Sequence, residues 1–178
     1  MEVKETGIEG LLEIYPRVFE DSRGFFFEAF KHEFFQNLGY NFVQDNQSFS
    51  KKGVLRGLHL QLPPNEQAKL VRTLTGKVLD VVVDLRKSSA TFGKVYTCLL
   101  DSSKSNMLLV PEGFGHGFVA LEDSLFFYKC SNYYNKASES GIIWNDKDLS
   151  IDWQLDDFII SEKDEELPTF QEFVDKNL

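Results

Sequence analysis

The chain has 178 residues, of which 42% are apolar and 17 are Phe, and it carries a formal net charge of −9. That composition excludes a disordered chain and suits one domain, residues 1–178, with a sizeable core. The acidic balance argues against nucleic acid as a partner, no run is long and apolar enough for a membrane helix, and Met1-Glu2-Val3-Lys4-Glu5 has no signal-peptide pattern, so a cytoplasmic protein is expected.

Cys98 and Cys130 are the only cysteines, and without a secretion signal they are expected to be reduced core residues. The charge is uneven. Lys51 to Lys94 holds nine Lys and Arg against three acids, a net of +6, whereas Glu139 to Leu178 holds twelve acids against three Lys, a net of −9. A basic middle in an acidic protein is either a solvated face or a site for a small anion such as a diphosphate.

In chain order, Gly7 to Phe19 reads as extended with a turn at Pro16. Glu20 to Gly24 is a polar turn, and Phe25 to Phe30 reads as a strand with a charge inside it. Lys31 to Leu38 places Phe34, Phe35 and Leu38 at helical spacing and stops at Gly39. Strands and turns follow. Leu55 to Gln61 is a strand, and Leu62 to Glu66 is a loop. Lys69 to Thr75 and Lys77 to Arg86 are strands whose junction at Thr75-Gly76 reads as a hairpin. In the second, Leu79, Val81 and Val83 share one face, and Asp80, Val82 and Asp84 the other. Val95 to Leu100, Met107 to Val110, Gly117 to Leu121 and Leu125 to Asn132 add four more, and Gly113-Phe114-Gly115-His116-Gly117 reads as a tight turn. After Tyr134 the chain turns irregular and acidic, with Trp144, Leu149, Ile151 and Trp153 available as anchors and a helical turn at Ser161 to Asp164. Many short strands with few helices indicate an antiparallel β-barrel or jelly roll.

The chemistry-bearing residues are few. A mononuclear metal needs about three convergent ligands at spacings such as His-x-His. His59 is followed by Leu60-Gln61, so no metal is expected. There is no nucleophile elbow and no phosphate-loop fingerprint. Metal-free acid–base chemistry remains, and it requires a base, an acid across the substrate, and cations for developing negative charge. His59 suits the base because imidazole titrates near neutrality, and Asp80, Asp84 and Asp164 are candidates to orient it. Tyr128, mid-strand beside Phe126, Phe127 and Cys130, suits the acid. Lys69, Arg72 and Arg56 are cations of the same region. Strict alternation separates Arg56 from His59, so their sharing a ligand requires a bulge at Gly57 or a place for Arg56 at the barrel mouth.

Arg56-Gly57-Leu58-His59-Leu60-Gln61, Gln67-Ala68-Lys69-Leu70-Val71-Arg72, Asp80 to Arg86, Val110 to Phe118, Tyr128-Lys129, Asn132-Tyr133-Tyr134 and Ser161-Glu162-Lys163-Asp164 resemble the dTDP-4-dehydrorhamnose 3,5-epimerase family. The match runs from about Pro16 to Pro168, with Ala68 in place of a common Gly and Gln47 in place of a common His. The resemblance implies an all-β, cupin-type jelly roll with short helices in its N-terminal part and at its C-terminus, without metal or other cofactor. It implies a homodimer with shared active sites and a dTDP-sugar substrate. It implies that His59 removes protons beside the 4-keto group, that Asp164 orients it, that Tyr128 returns a proton from the other face, and that Lys69 stabilises the enolate oxygen. Arg56, His116, Glu139 and Lys163 would help bind the nucleotide-sugar. Arg23, Glu28, Gln44, Asp45 and Asn46 would lie at the nucleotide pocket, partly from the dimer partner, and Tyr134, ahead of Tyr133, would stack on the thymine. The rivals are a relative that inverts one carbon or takes another nucleotide-sugar, and a non-catalytic sugar-binding jelly roll.

Overall fold

In the computed structural model of the chain, which describes residues 1–178, two antiparallel sheets face each other as a jelly roll. The six-stranded sheet runs in the order β1 (Glu2–Glu5), β2 (Leu12–Tyr15), β10 (Met107–Val110), β7 (Lys69–Thr75), β12 (Ser124–Cys130), β5 (Gln44–Ser50). The five-stranded sheet runs β13 (Glu139–Gly141), β6 (Leu55–Gln61), β11 (Phe114–Ala120), β8 (Lys77–Asp84), β9 (Val95–Asp101). A separate exposed ribbon pairs β3 (Phe19–Asp21) with β4 (Gly24–Phe26). The helices are α1 (His32–Asn37), α2 (Glu162–Glu165) and α3 (Phe170–Asn177). None is long and apolar enough to cross a membrane.

The central strands of both sheets are covered on both faces. Between them lie Val71, Val78, Val82, Leu100, Leu108, Phe118 and Phe126. The outer face of the five-stranded sheet, carrying Leu58, Leu60, Leu79, Val81 and Val83, is covered by the acidic C-terminal segment through Ile142, Leu149, Trp153 and Phe173. The outer face of the six-stranded sheet, with Ile14, Leu70, Met107 and Leu109, is covered by Phe35 of α1 and the aromatics around it. Strands enclosed on both faces lose the polar alternation of a half-solvated sheet, which is why β8 reads Lys-Val-Leu-Asp-Val-Val-Val-Asp. The acidic tail is thus held by its apolar residues. Trp153 Nε1 donates to the Trp144 carbonyl at 2.9 Å, and Asp146 accepts from Leu149 N at 3.0 Å and from Phe170 N at 2.8 Å. A capping box between Thr169 and Glu172 starts α3.

Several sequence expectations change. The Thr75-Gly76 junction is a corner rather than a hairpin: β7 bonds β10 and β12, whereas β8 bonds β9 and β11. Gly76 (φ +75°) is required there because a Cβ would sit 2.4 Å from the Asp123 carbonyl oxygen. Turn chemistry is the same whether a chain folds back on itself or passes to the facing sheet. Phe27 to Phe30 leave the β3–β4 ribbon instead of extending it, and they join the aromatics around α1. Gly115 and Gly117 lie within β11 rather than in a turn. A Cβ on Gly117 would come 2.6 Å from the Arg56 carbonyl oxygen, so the glycine serves close strand approach.

That approach accompanies a β-bulge. His116 pairs with His59 and Phe118 pairs with Arg56, so two residues of β6 stand opposite Gly117. Gly57 adopts φ +100° to make the extra step. Alternation is thereby reset: Leu55, Leu58 and Leu60 join the outer core, and Arg56 and His59 share the inner face.

At the end of β8 the fully buried Asp84 accepts from Arg86 Nε at 2.9 Å, Arg86 Nη2 at 2.8 Å, Ser89 Oγ at 2.6 Å and Thr91 Oγ1 at 2.7 Å. Burial works to raise this carboxyl, but its donors outweigh burial and hold it at about 2. Asp84 therefore anchors a loop and does not orient His59.

Gly117→Ala should destabilise the fold by about 1–3 kcal/mol through overpacking against backbone, read as a lower urea midpoint at unchanged slope. Asp84 titrates lower folded than unfolded, so its contribution is complete above about pH 4 and is lost as pH falls toward about 2. Asp84→Asn should cost about 2 kcal/mol at pH 7 and flatten the decline in stability between those pH values, measured by denaturant unfolding across pH.

Candidate active site

The open space between the sheets forms a cleft of ≈ 310 Å³, continuous through His59, Lys69 and Tyr128 with a second lobe of ≈ 190 Å³. His59 and His116 enter from β6 and β11 of one sheet, and Lys69 and Tyr128 from β7 and β12 of the other. The imidazole and the phenol thus stand on opposite walls of one compartment.

His59 Nε2 lies 2.7 Å from Asp164 Oδ1. A carboxylate only accepts, so Nε2 carries the proton and Nδ1 is left as the ring's free base. Asp164 arrives on α2, which Ser161 starts by accepting from the Asp164 N–H, and its Oδ2 accepts from Gly57 N at 3.2 Å. Burial works to raise Asp164, but His59, the Gly57 N–H and Ser161 outweigh it and hold the carboxyl below its ordinary value. One buried carboxylate therefore holds both the His59 ring and the bulge that turns it inward.

His116 makes the analogous pair with Asp80, its Nε2 at 3.1 and 2.9 Å from the two carboxylate oxygens. Asp80 is fully buried; burial pushes its carboxyl up, and His116 and Lys69 pull it back. Of the three carboxylates considered for His59, Asp164 alone bonds it.

Burial pushes the Lys69 ammonium down, opposed by Cys130, Asp80 and Glu139. A partly desolvated cation interacts more strongly than one in bulk water with negative charge that develops beside it. Burial likewise raises the Tyr128 phenol, which favours its protonated form. Arg56 donates from Nε to Ser50 Oγ at 3.1 Å, leaving its guanidinium at the cleft with Lys163 and His116.

Gln44, Asn46, Tyr134 and Glu139 line the second lobe. Tyr134 Oη donates to Glu139 Oε2 at 2.9 Å, and Lys163 Nζ lies 2.7 Å from Glu139 Oε1. Burial works to raise Glu139, but Lys163 and Tyr134 outweigh it and lower the carboxyl. Tyr133 projects into solvent and lines neither lobe.

Asp45 stands outside the cleft. Strand alternation turns it to the outer face of β5, where it pairs with Lys129 Nζ at 2.8 Å. Arg72 is turned outward for the same reason and lies over the rings of Phe27 and Phe127. Arg23 and Glu28 also stand outside the cleft: Arg23 pairs with Asp21 on the exposed ribbon, and Glu28 lies beside α1. Ser48, Gln61, Gln67 and Ser161 line the two lobes without having been singled out. For Ser161 the signal was its place three residues before Asp164, the spacing of a helix cap.

A family model described as dTDP-4-dehydrorhamnose 3,5-epimerase matches residues 5–172. The dTDP-4-dehydrorhamnose 3,5-epimerase of Escherichia coli is 49% identical over 179 residues, covering 98% of this chain and 97% of that protein. The crystal structure of the same-named protein from Elizabethkingia anophelis superposes with a TM-score of 0.93 at 49% identity, covering 100% of this chain and 99% of that one. An epimerase from Legionella pneumophila, solved in complex with dTDP-4-keto-L-rhamnose, superposes with a TM-score of 0.91 at 41% identity, covering 96% and 93%. With a cupin-type jelly roll and a match along nearly its whole length, this chain belongs to the dTDP-4-dehydrorhamnose 3,5-epimerase family.

Proposed function

We propose that the chain inverts C3 and C5 of dTDP-4-dehydro-6-deoxy-D-glucose, giving dTDP-4-dehydro-L-rhamnose. The observation that carries this reading is the placement of a carboxylate-bound imidazole and a buried phenol on opposite walls of one cleft, with an ammonium on the phenol's wall. A relative that binds dTDP-4-keto-L-rhamnose supports the substrate class.

His59 Nδ1 takes the proton from a carbon next to the ketone, and the C–H electron pair moves to make the enolate. The Lys69 ammonium bears the charge on the enolate oxygen. Tyr128 then gives its hydroxyl proton to the carbon from the opposite face, and the ketone re-forms with that centre inverted. His59 passes its proton to water and Tyr128 regains one, which readies the site for the second carbon. Every proton and electron pair is accounted for by protein groups, substrate and solvent. Asp164 stabilises the imidazolium formed midway.

Arg56, His116 and Lys163 supply positive charge for the diphosphate, and Gln44, Asn46 and Tyr134 take the thymidine end. Arg23 and Glu28 fit this scheme as contributions to the site of a second copy in a homodimer. Phe25 and Phe26, each about two-thirds exposed beside Arg23, give the ribbon an apolar surface for that contact.

His59→Ala should lower turnover by about 10³-fold or more and leave dTDP binding, measured by calorimetry, intact. Retained turnover in that variant would rule out the mechanism. Turnover in deuterated water should place solvent deuterium at both C3 and C5, read by NMR. Label at one carbon alone would make the protein a mono-epimerase, and label at neither would make it a sugar-binding jelly roll.

A further inference from the structure

Gln61 is buried at the end of β6, two residues beyond His59, and the proton-transfer scheme gives it no task. Its amide is fully committed. Nε2 donates to the Asn65 carbonyl at 2.5 Å and to the Tyr133 carbonyl at 3.2 Å, while Oε1 accepts from Asn135 N at 2.6 Å. Tyr133 and Asn135 are the two chain neighbours of Tyr134. The Tyr134 N–H is held in turn by Gln44 Oε1 at 3.1 Å, and the Tyr134 hydroxyl by Glu139, the residue that pairs with Gln61 across β6 and β13. Asn135 continues the chain of contacts by capping the 3-10 turn Lys136–Ser138 that leads into β13.

We propose that Gln61 is a positioning residue for nucleotide recognition: its amide clamps the backbone on both sides of Tyr134, so that the tyrosine ring is pre-set as the platform for the base of a nucleoside-diphosphate sugar. The inference rests on the reading above for its ligand, and on geometry alone for the clamp. A loop carrying an aromatic platform would otherwise sample many conformations, and each binding event would bear the cost of ordering it. The single amide side chain binds the loop after β6 to the loop after β12 at the point where both border the second lobe. Its orientation is fixed by its partners, since only the oxygen can face the Asn135 N–H and only the nitrogen can face two carbonyls. A carboxylate in its place would keep the shape and the acceptor but set an oxygen against those carbonyls.

The test uses Gln61→Met, which keeps the length without the bonds, and Gln61→Glu. In both, dTDP should bind about tenfold more weakly by calorimetry, and with the 4-keto sugar the loss should fall on KM rather than kcat. The effect of Tyr134→Ala on dTDP binding should shrink in the Gln61→Met background, because a released platform has less to lose. In the unliganded wild type, the Asn135 amide should exchange slowly with solvent for a loop residue, and in Gln61→Met it should exchange faster. Unchanged dTDP affinity in both variants, or rapid Asn135 exchange in the wild type, overturns the proposal. Exchange in the wild type remains decisive even where a variant fails to fold. Should the wild type fail to turn over the sugar while dTDP binding still weakens in Gln61→Met, the epimerase reading falls and the clamp stands.

Discussion

The site depends on one buried carboxylate. Asp164 accepts from the Gly57 N–H with one oxygen and from the His59 ring with the other, so the backbone step that turns the imidazole inward and the imidazole itself share one anchor. A buried anion with several donors is held firmly, because each lost donor leaves charge without a partner in a region of low dielectric. The one-turn helix carrying it has little stability of its own and persists through the Ser161 cap and this tie to β6. The acidic C-terminal segment is thus structural twice over, sheathing a sheet with its apolar residues and pairing one of its acids with His59.

The two His–Asp pairs invite comparison because their histidines are direct cross-strand neighbours. They differ in surroundings. His59 is partly open to solvent, its side chain about 30% exposed, so a proton it collects can leave to water. His116 is enclosed, and its carboxylate partner is fully buried. The first arrangement suits a group that must cycle between protonation states, and the second a group held in one place against a ligand.

Much of this was legible in the sequence. The positions of β6 to β10 and β12, the α1 helix, reduced cysteines, the faces of β8 and the grouping of His59, Lys69 and Tyr128 all follow from alternation, helical spacing and residue chemistry. The misses share a cause. Gly76 marks a reversal in any architecture, and local pattern does not tell a hairpin from a corner between sheets. Gly115 and Gly117 look like turn residues because the carbonyl of Arg56 pressing on β11 comes from a strand some sixty residues earlier in the chain. Asp45 parts from its neighbours Gln44 and Asn46 because a period of two sends it to the opposite face. The Gly57 bulge was one of two openings that the spacing of Arg56 and His59 left, and only coordinates could choose between them.

Asp164 follows His59 by 105 residues. During synthesis the strands between them emerge and can begin to pair before that acid leaves the ribosome. A nascent chain stalled short of α2 would carry the phenol and the ammonium on their strands, yet it would lack Lys163 from the cleft wall, and its imidazole would be free to take either tautomer. The contact that fixes the ring's tautomer is thus among the last the chain can make, whatever the strands have already assembled.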